Sequence, residues 1–345
     1  MIAPVHISAP TALPFDHLKR LSDDFGLFEH ALGDAPRREH GYCVDDVARG
    51  LLVIAREPHP DEELRLLANT YLSFLESAAV PDGRVHNRMR VAGQWADDPA
   101  VGDWWGRALW AVGTLGSRES VLAARARGVF SVLARQRSGD VRAAAFAALG
   151  AGELLLAGRQ HPDVRRVLAD AATVIPTQPA AGWGWSESRL RYANATLTEA
   201  LMVAGRGLHD RELEQRGFDL LSVLVTIETA HGHLSVCGTS GRGPGEPGTQ
   251  FDQQPIEVAA IADAAARAYD FTGRSEWREV VAMSWAWFLG DNDCGVPIVD
   301  PTTGAGFDGL QPAGRNDNRG AESTLAALGT WQQARRLGVL AGPQA

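Results

Sequence analysis

The feature that most constrains how this chain can fold is a series of apolar stripes with helical spacing. Between residues 61 and 78, apolar side chains recur every three or four positions: Leu64, Leu67, Ala68, Tyr71, Leu72 and Leu75. This spacing puts them on one face of a helix. The same pattern predicts about twelve helices, over residues 15–31, 43–56, 61–78, 101–116, 118–136, 140–157, 161–173, 193–207, 210–228, 254–272, 275–290 and 319–336. A short strand or hairpin is expected between His233 and Cys237.

The predicted helices alternate in character along the chain. Most of the odd-numbered ones are amphipathic, whereas the even-numbered ones are richer in small and apolar residues, as in 143–149 and 258–262. A helix that is apolar nearly all round must be buried on most sides. Six outer helices that alternate with six buried ones predict an all-α (α/α)₆ toroid, which is a double-layered helical barrel.

The lengths of the connections indicate where a functional site would lie. Five of the six connections that enter the even-numbered helices are long: 32–42, 79–100, 174–192, 229–253 and 291–318. In an alternating barrel these loops share one end, and long loops in a compact domain are usually functional. The connection at 137–139 is short, so we expect the helix at 140–157 to form part of the barrel wall without contributing a residue to the site. We predict one domain over residues 1–345, with its core in 15–337.

Composition and charge exclude several classes of function. A formal net charge of −9 without a basic cluster argues against a nucleic-acid partner. No apolar run approaches the roughly 18 residues that a membrane span needs, and residues 1–14 lack the pattern of a signal peptide. The three cysteines have no CxxC spacing, which fits a reducing cytoplasm. We therefore expect a cytoplasmic protein with no membrane partner, no metal and no cofactor. The sequence leaves the oligomeric state open.

Polar motifs cluster where the long loops enter the predicted inner helices. They are HGYCVDDVAR from His40, DD from Asp97, DWWGR from Asp103, GWGWSESR from Gly182, QFDQQPIE from Gln250 and NDNRGAES from Asn316. Each motif also has a structural explanation, because a carboxylate can cap a helix and acids spaced three or four residues from an arginine form ion pairs. Glu257 and Glu322 fit that explanation less well, since a carboxylate one turn into an apolar inner helix would face a dehydrated lumen.

The combination of acids, amides and aromatics at one mouth points to carbohydrate chemistry. Glycoside hydrolysis needs one carboxylic acid that protonates the leaving oxygen and a second carboxylate that acts as base or nucleophile. Amide and guanidinium groups suit a neutral polyol, and loop tryptophans such as Trp104 and Trp185 can pack on a sugar face or on the barrel rim. The chain has no GxSxG, HExxH, P-loop or GxGxxG motif in a suitable context.

The motif series resembles a bacterial glycosyltransferase-associated family. The resemblance rests on GYCxDDxAR, DxxGRxLWAxG, ExRLxYxNxxLxxAL, FDQQPIE and NxNxGAEST, and it covers roughly residues 38–330. It implies a toroid of the six-hairpin glycosidase-like type. Members of this family are often encoded beside glycosyltransferases and β-mannoside phosphorylases, or fused behind them. It carries over these acids: Asp45, Asp46, Asp103, Glu187, Asp252, Glu257 and Glu322. One departure is Ala193, where the family often has an acid.

The leading hypothesis is therefore a glycoside hydrolase that acts on a short oligosaccharide, such as a mannoside or glucoside. The catalytic candidates are Asp46, Asp103, Glu187 and Asp252. The substrate-binding candidates are His40, Tyr42, Asp45, Trp104, Arg107, Trp185, Asn194, Gln253, Gln254, Glu257, Asn318 and Glu322. One alternative is a sugar epimerase or isomerase on the same toroid, although such enzymes generally use histidines and only His40 lies in these motifs. Another is a non-catalytic glycan-binding partner of a glycosyltransferase system.

Overall fold

The secondary structure of this protein is almost entirely helical. A computed structural model describes residues 10, 12–159, 162–246 and 248–340. Its helices are α1 (Asp16–Arg20), α2 (Val44–Arg56), α3 (Glu62–Ala78), α4 (Asp103–Ser117), α5 (Ala123–Leu133), α6 (Val141–Leu156), α7 (Val164–Val174), α8 (Asn194–Leu208), α9 (Arg211–Ile227), α10 (Pro255–Thr272), α11 (Ser275–Leu289) and α12 (Ala321–Leu337). Residue 161, where the predicted seventh helix begins, lies outside the described residues.

The even-numbered helices form a closed inner ring. Each of α2, α4, α6, α8, α10 and α12 packs against the next, and α12 packs against α2. Each odd-numbered helix from α3 to α11 packs on the outside of the inner helix that precedes it in the chain. The short α1 contacts α12. The inner helices are buried nearly all round; in α4, for example, every residue from Trp105 to Ser117 is buried. The predicted (α/α)₆ toroid is confirmed.

Buried apolar side chains from α1 through α12 form one continuous core. This continuity supports the single-domain organisation that we propose for residues 1–345. Within the described ranges, no helix is both long enough and apolar enough to cross a bilayer.

The first predicted helix is much shorter than its apolar pattern suggests. Residues 15–31 were expected to be helical, but the helix ends at Arg20. The carboxylate of Asp23 accepts hydrogen bonds from the backbone N–H groups of Phe25 and Gly26, which closes a turn. Such turns compete with the helix for backbone donors. Consequently, residues 21–42 are a folded loop, and side chains from this loop reach the mouth of the barrel.

Four two-residue antiparallel ladders organise the long loops. They pair β1 (Ala31–Leu32) with β2 (Ala35–Pro36), β3 (Tyr42–Cys43) with β4 (Arg88–Met89), β5 (Thr229–Ala230) with β6 (His233–Leu234), and β7 (Leu310–Gln311) with β8 (Gly314–Arg315). The predicted strand at 233–237 is thus limited to β6. The β3–β4 ladder ties the loop between α3 and α4 to the start of α2, which brings both segments to the same mouth.

Candidate active site

The long loops and the first residues of the inner helices surround an open cavity of about 600 Å³. Cys43 precedes α2, Asp103 begins α4, Asp140 precedes α6 and Gln254 precedes α10. The lining residues are Glu29, His30, Cys43, Asp45, Asp46, Arg49, Asn87, Arg88, Gly102, Asp103, Trp104, Asp140, Gln254, Asp308, Gly320, Glu322 and Ser323. The cavity therefore lies at the N-terminal ends of the inner helices, at the mouth that the long loops predict.

Asp45 is an ionised carboxylate held between two guanidinium groups. Its Oδ1 lies 2.6 Å from Nε of Arg107, and its Oδ2 accepts a hydrogen bond from Arg49. Burial opposes ionisation, yet the charges of Arg107 and Arg49 keep the pKa of Asp45 below its ordinary value. Arg49 also donates a hydrogen bond to Glu322 across 2.8 Å. One arginine on α2 therefore links acids from two inner helices.

Asp46 has the opposite character, although it is the next residue along α2. Its side chain is only 3 % exposed, and its Oδ1 lies 3.0 Å from Arg49. Burial raises the pKa of Asp46 to about 7, the charge of Asp45 adds to this effect, and the charge of Arg49 opposes it. Asp46 can therefore hold a proton near neutral pH while Asp45 beside it stays ionised.

A second pair of acids, Asp103 and Asp140, lies at the starts of α4 and α6. Asp140 caps α6, because its Oδ1 accepts hydrogen bonds of 2.9 Å from the backbone N–H groups of Arg142 and Ala143. Burial, and then the negative charge of Asp140, raise the pKa of Asp103 to about 6, which Arg107 partly offsets. The sequence predicts that α6 contributes no residue to the site. This prediction is wrong, because the N-cap of α6, Asp140, lines the cavity.

An aromatic side chain and an amide complete this part of the site. Trp104 lines the cavity, and its indole Nε1 donates a 2.8 Å hydrogen bond to the carbonyl of Val85. This bond fixes the ring while leaving its apolar surface available for contact. Gln254 lines the cavity from the start of α10. The structure therefore brings together six of the predicted site residues: Asp45, Asp46, Asp103, Trp104, Gln254 and Glu322. Arg107 lies directly beneath them, in contact with Asp45.

Three predicted residues lie instead in a polar cluster at the start of α8. Arg142 donates hydrogen bonds to Glu187, at 2.6 Å, and to Asn194, at 3.2 Å. Glu257 accepts hydrogen bonds from the backbone N–H of Ala193, at 2.5 Å, and from the side chain of Asn194, at 3.1 Å. Burial raises the pKa of Glu257 to about 8, with the nearby charge of Glu228 adding to it. Glu257 thereby satisfies backbone donors at the start of α8, and none of the three residues lines the cavity.

Three other predicted substrate contacts are buried in the protein interior. The hydroxyl of Tyr42 donates a 2.7 Å hydrogen bond to Asp23, and its ring stacks on Phe28. Trp185 is fully buried in the core. Gln253 is also fully buried, and its amide donates a 2.6 Å hydrogen bond to Asp293. The polar atoms of Tyr42 and Gln253 thus bond within the protein, and none of the three residues lines the cavity.

The last three predicted residues occupy loops outside the cavity lining. Asp252 is partly exposed in the loop before α10. His40 is exposed, and its ring lies edge-on to the ring of His30 with 5.0 Å between centroids. The side-chain oxygen of Asn318 accepts a 3.0 Å hydrogen bond from the backbone N–H of Gly33. Asn318 therefore holds the loop between β1 and β2 against the segment that precedes α12.

Sequence reasoning missed several residues that line the cavity: Glu29, His30, Asn87, Arg88, Asp140 and Asp308. Glu29 and His30 were assigned to a helix that ends earlier, and Arg88 lies in a long loop without a motif. Asp140 carried a usable signal, because an aspartate directly before an apolar helical run predicts an N-cap, and the N-caps of the inner helices surround the mouth.

One group of side chains at the mouth has the spacing of a cation site. Ligand atoms of Glu29, Cys43 and Asp46 lie within 4.8 Å of one another. Arg88 is ion-paired with Glu29, and Arg49 with Asp46, so guanidinium groups already balance these carboxylates. Burial and the neighbouring acids raise the pKa of the Cys43 thiol well above its ordinary value, which disfavours the thiolate that a metal would bind.

Comparison with known proteins identifies the fold. No family model and no curated protein sequence matches this chain. Among solved structures, a sugar epimerase from a ruminal bacterium is similar, with a TM-score of 0.73 and 13% identity over 93% of this chain and 95% of that one. A cellobiose 2-epimerase from Spirochaeta thermophila gives 0.69 and 12% identity over 93% and 92%. An inactive variant of an alpha-1,6-mannanase from Salegentibacter sp., in complex with alpha-1,6-mannotetrose, gives 0.61 and 13% identity over 93% and 97%. At this identity the likeness establishes the toroid fold alone.

Proposed function

We propose that this protein is a glycoside hydrolase acting on a short oligosaccharide at the mouth cavity. The observation that carries the proposal is that three carboxyl groups in one cavity have different pKa values. Asp46 can hold a proton near neutral pH, Asp103 loses its proton near pH 6, and Asp45 stays ionised. Carboxyl groups whose environments separate their pKa values are the arrangement that glycosidases use.

In this proposal the buried carboxyl of Asp46 donates a proton to the leaving glycosidic oxygen. Asp103, which is less buried, acts as the base that activates water or as the nucleophile. Asp45, fixed by Arg107 and Arg49, stabilises the positive charge that develops on the sugar in the transition state. Trp104 would pack against a sugar face. Of the four catalytic candidates from the sequence, the proposal keeps Asp46 and Asp103 and assigns no chemistry to Glu187 and Asp252.

The charge of the cavity indicates the class of sugar. Seven acids line it, whereas its two arginines, Arg49 and Arg88, are each already ion-paired. Among the described residues of the lining, a phosphorylated sugar or a uronic acid would find no unpaired arginine and would face several carboxylates. We therefore infer a substrate without negative charge, such as a neutral mannoside or glucoside.

The experiment that tests both statements is a substrate panel. Purified protein is incubated with α- and β-linked manno-, gluco- and arabino-oligosaccharides and with matched uronic-acid oligomers, and products are followed by mass and anomeric NMR. We expect cleavage of a neutral oligosaccharide and no cleavage of its uronic-acid counterpart. Faster turnover of the anionic member would contradict the charge argument.

A sugar epimerase or isomerase is the second candidate, and one observation favours it. His30 lines the cavity, and its ring lies edge-on to that of His40, which is exposed outside the lining. A histidine in the cavity can exchange protons at a sugar carbon without cleaving a bond. Several proteins of similar fold are described as sugar epimerases or isomerases. In the same panel, inversion at one carbon with an unchanged mass would identify this activity, and saturable binding without products would identify a glycan-binding module.

The proposed roles predict a bell-shaped dependence of kcat/KM on pH. Activity should fall as pH drops through about 6, because Asp103 must be ionised, and fall again as pH rises through about 7, because Asp46 must keep its proton. Asp140→Asn removes a negative charge that raises the pKa of Asp103. We expect the acid limb to move to lower pH while the alkaline limb stays in place.

Asparagine is a good N-cap, so this substitution should preserve the start of α6 and leave the melting temperature nearly unchanged. Kinetics between pH 4 and 9 provide the measurement. If the acid limb of Asp140→Asn coincided with that of the unchanged protein, Asp103 would not be the group that sets it.

A further inference from the structure

The opposite end of the barrel contains a second and larger cavity, of about 1210 Å³. It lies where the inner helices end, among the last residues of α2, α4, α6 and α12. The connections here are short, and none of the sequence motifs falls at this end. The proposed hydrolase activity uses no residue of this cavity.

The lumen of the barrel is narrow between the two cavities. The lumen between them holds a space of only about 60 Å³, lined in part by Arg56, Trp110 and Asp263. Arg56 donates hydrogen bonds of 2.9 and 3.1 Å to the two carboxylate oxygens of Asp263, and its guanidinium lies 5.4 Å from the Trp110 ring. The Arg56–Asp263 ion pair therefore lies between the mouth and the far cavity.

The rim of the far cavity contains three exposed aliphatic side chains among its charged residues. Leu66 is 62% exposed, Val121 is 97% exposed and Leu156 is 43% exposed, and all three line the cavity. Clustered exposure of large apolar side chains is uncommon on a soluble surface and marks binding sites. Among the described residues that line the cavity, none is aromatic. The rim therefore suits an aliphatic chain better than the face of a sugar.

The floor of the cavity contains two buried acceptor oxygens that lack a donor. Arg267 donates a 3.2 Å hydrogen bond to Oε1 of Glu199, while Oε2 of the same carboxylate has no hydrogen-bond partner among the described residues. The amide of Gln332 donates a 2.9 Å hydrogen bond to the carbonyl of Val53, and its Oε1 is likewise unpartnered within the described chain. Both side chains are more than nine-tenths buried and belong to the cavity wall. Buried acceptors without donors are costly, so a ligand that supplies donors would be favoured.

The cations of the floor are already paired. Arg267 contacts Glu153 as well as Glu199, and Arg56 is bonded to Asp263. Among the described residues of the floor, an anionic head group would therefore meet Glu199 and no unpaired guanidinium. The acceptor oxygens of the floor therefore favour a ligand with hydrogen-bond donors, and the aliphatic side chains of the rim favour a ligand with an aliphatic portion.

We propose that the far cavity is a second binding site, for an amphiphilic molecule with an aliphatic body and a hydrogen-bond-donating head group. The head group, an ammonium or a hydroxyl, bonds to Glu199 or to Gln332, and the aliphatic body packs against Leu66, Val121 and Leu156. Small local shifts would open the floor oxygens to the head group. The site is independent of the chemistry at the mouth.

Isothermal titration calorimetry of the full chain with three matched probes tests this proposal. The probes are n-octylammonium, octyl β-glucoside and octanoate, titrated at pH 8 and below their micelle concentrations. Burial raises the pKa of Glu199 to about 7, so its carboxylate is mostly an acceptor at this pH. We expect octylammonium to bind at least tenfold more tightly than octanoate, with the hydroxylated octyl β-glucoside between them.

Two variants locate the binding. Glu199→Gln replaces the negatively charged acceptor with a neutral amide and should weaken octylammonium binding about tenfold. Leu66→Ser removes rim surface and should weaken all three probes severalfold. Leu32→Ser is the matched control, because Leu32 is 72% exposed but does not line this cavity. Leu66 is on the surface, so its variant remains informative if Glu199→Gln fails to fold.

Equal binding of octanoate and octylammonium would overturn the proposed head-group chemistry. Absence of binding by all three probes, or binding that neither Glu199→Gln nor Leu66→Ser weakens, would overturn the site itself. Asp103→Asn should leave the binding of octylammonium and octanoate unchanged, so failure of the hydrolase proposal and failure of this one can be told apart.

Discussion

Asp103→Asn is expected to lower kcat/KM for the oligosaccharide substrate by about 10³-fold, the size typical of losing a general base. Asparagine has nearly the same shape as aspartate but cannot accept a proton or attack the sugar. Asp103 is the first residue of α4, and the preceding Gly102 occupies the N-cap, so the helix should still form. Circular dichroism and the melting temperature should match those of the unchanged protein.

Three further variants make this result specific. Asp46→Asn should cause a comparable loss, because it removes the proposed proton donor. Asp252→Asn is the matched control and should keep nearly full activity, since Asp252 does not line the cavity. Asp103→Ala should recover part of its activity with added formate, which can replace a missing carboxylate but cannot correct a structural defect. Near-normal turnover by Asp103→Asn would remove Asp103 from the mechanism.

Gly150→Ala is expected to destabilise the protein by about 3 kcal/mol or more, the upper end of the range for overpacking. Gly150 lies where α6 crosses α4, and a Cβ atom there would overlap the backbone carbonyl of Leu109. The reciprocal contact is equally close, because a Cβ at Gly113 would overlap the carbonyl of Gly150. Backbone atoms cannot rotate away as a flexible side chain can. The two helices must therefore move apart, which would also displace Asp103 and Asp140 at their starts.

Gly128→Ala is the matched control for this prediction. Gly128 lies inside α5 on the protein surface, and a Cβ there meets nothing within 4 Å. Alanine should therefore raise the free energy of unfolding by up to about 1 kcal/mol, through its higher helix propensity. Denaturant unfolding of both variants measures the effects. Equal stability of Gly150→Ala and the unchanged protein would show that α4 and α6 are not in backbone contact.

Much of the site could be predicted from sequence because helix starts and loop lengths are local signals. The DD pair of α2, Asp103 and Trp104 of α4 and the acid of α12 all enter an inner helix from the mouth, and all line the cavity. Two misses have local causes. The turn at Asp23 ended the first helix and released Glu29 and His30 towards the mouth. The short loop before α6 concealed Asp140, because loop length predicts where a loop lies and not what its last residue contacts.

The sequence by itself determined the helices, their alternation between outer and inner layers, and the end of the barrel where a site would form. These properties follow from the apolar period and the connection lengths, which need no knowledge of distant contacts. Only the tertiary structure decided which acids face the cavity. Glu257 and Glu322 both lie in the first turn of an inner helix, yet Glu322 lines the cavity and Glu257 bonds to the start of α8. The difference arises because the neighbouring helix, and not the helix that carries the side chain, supplies its partner.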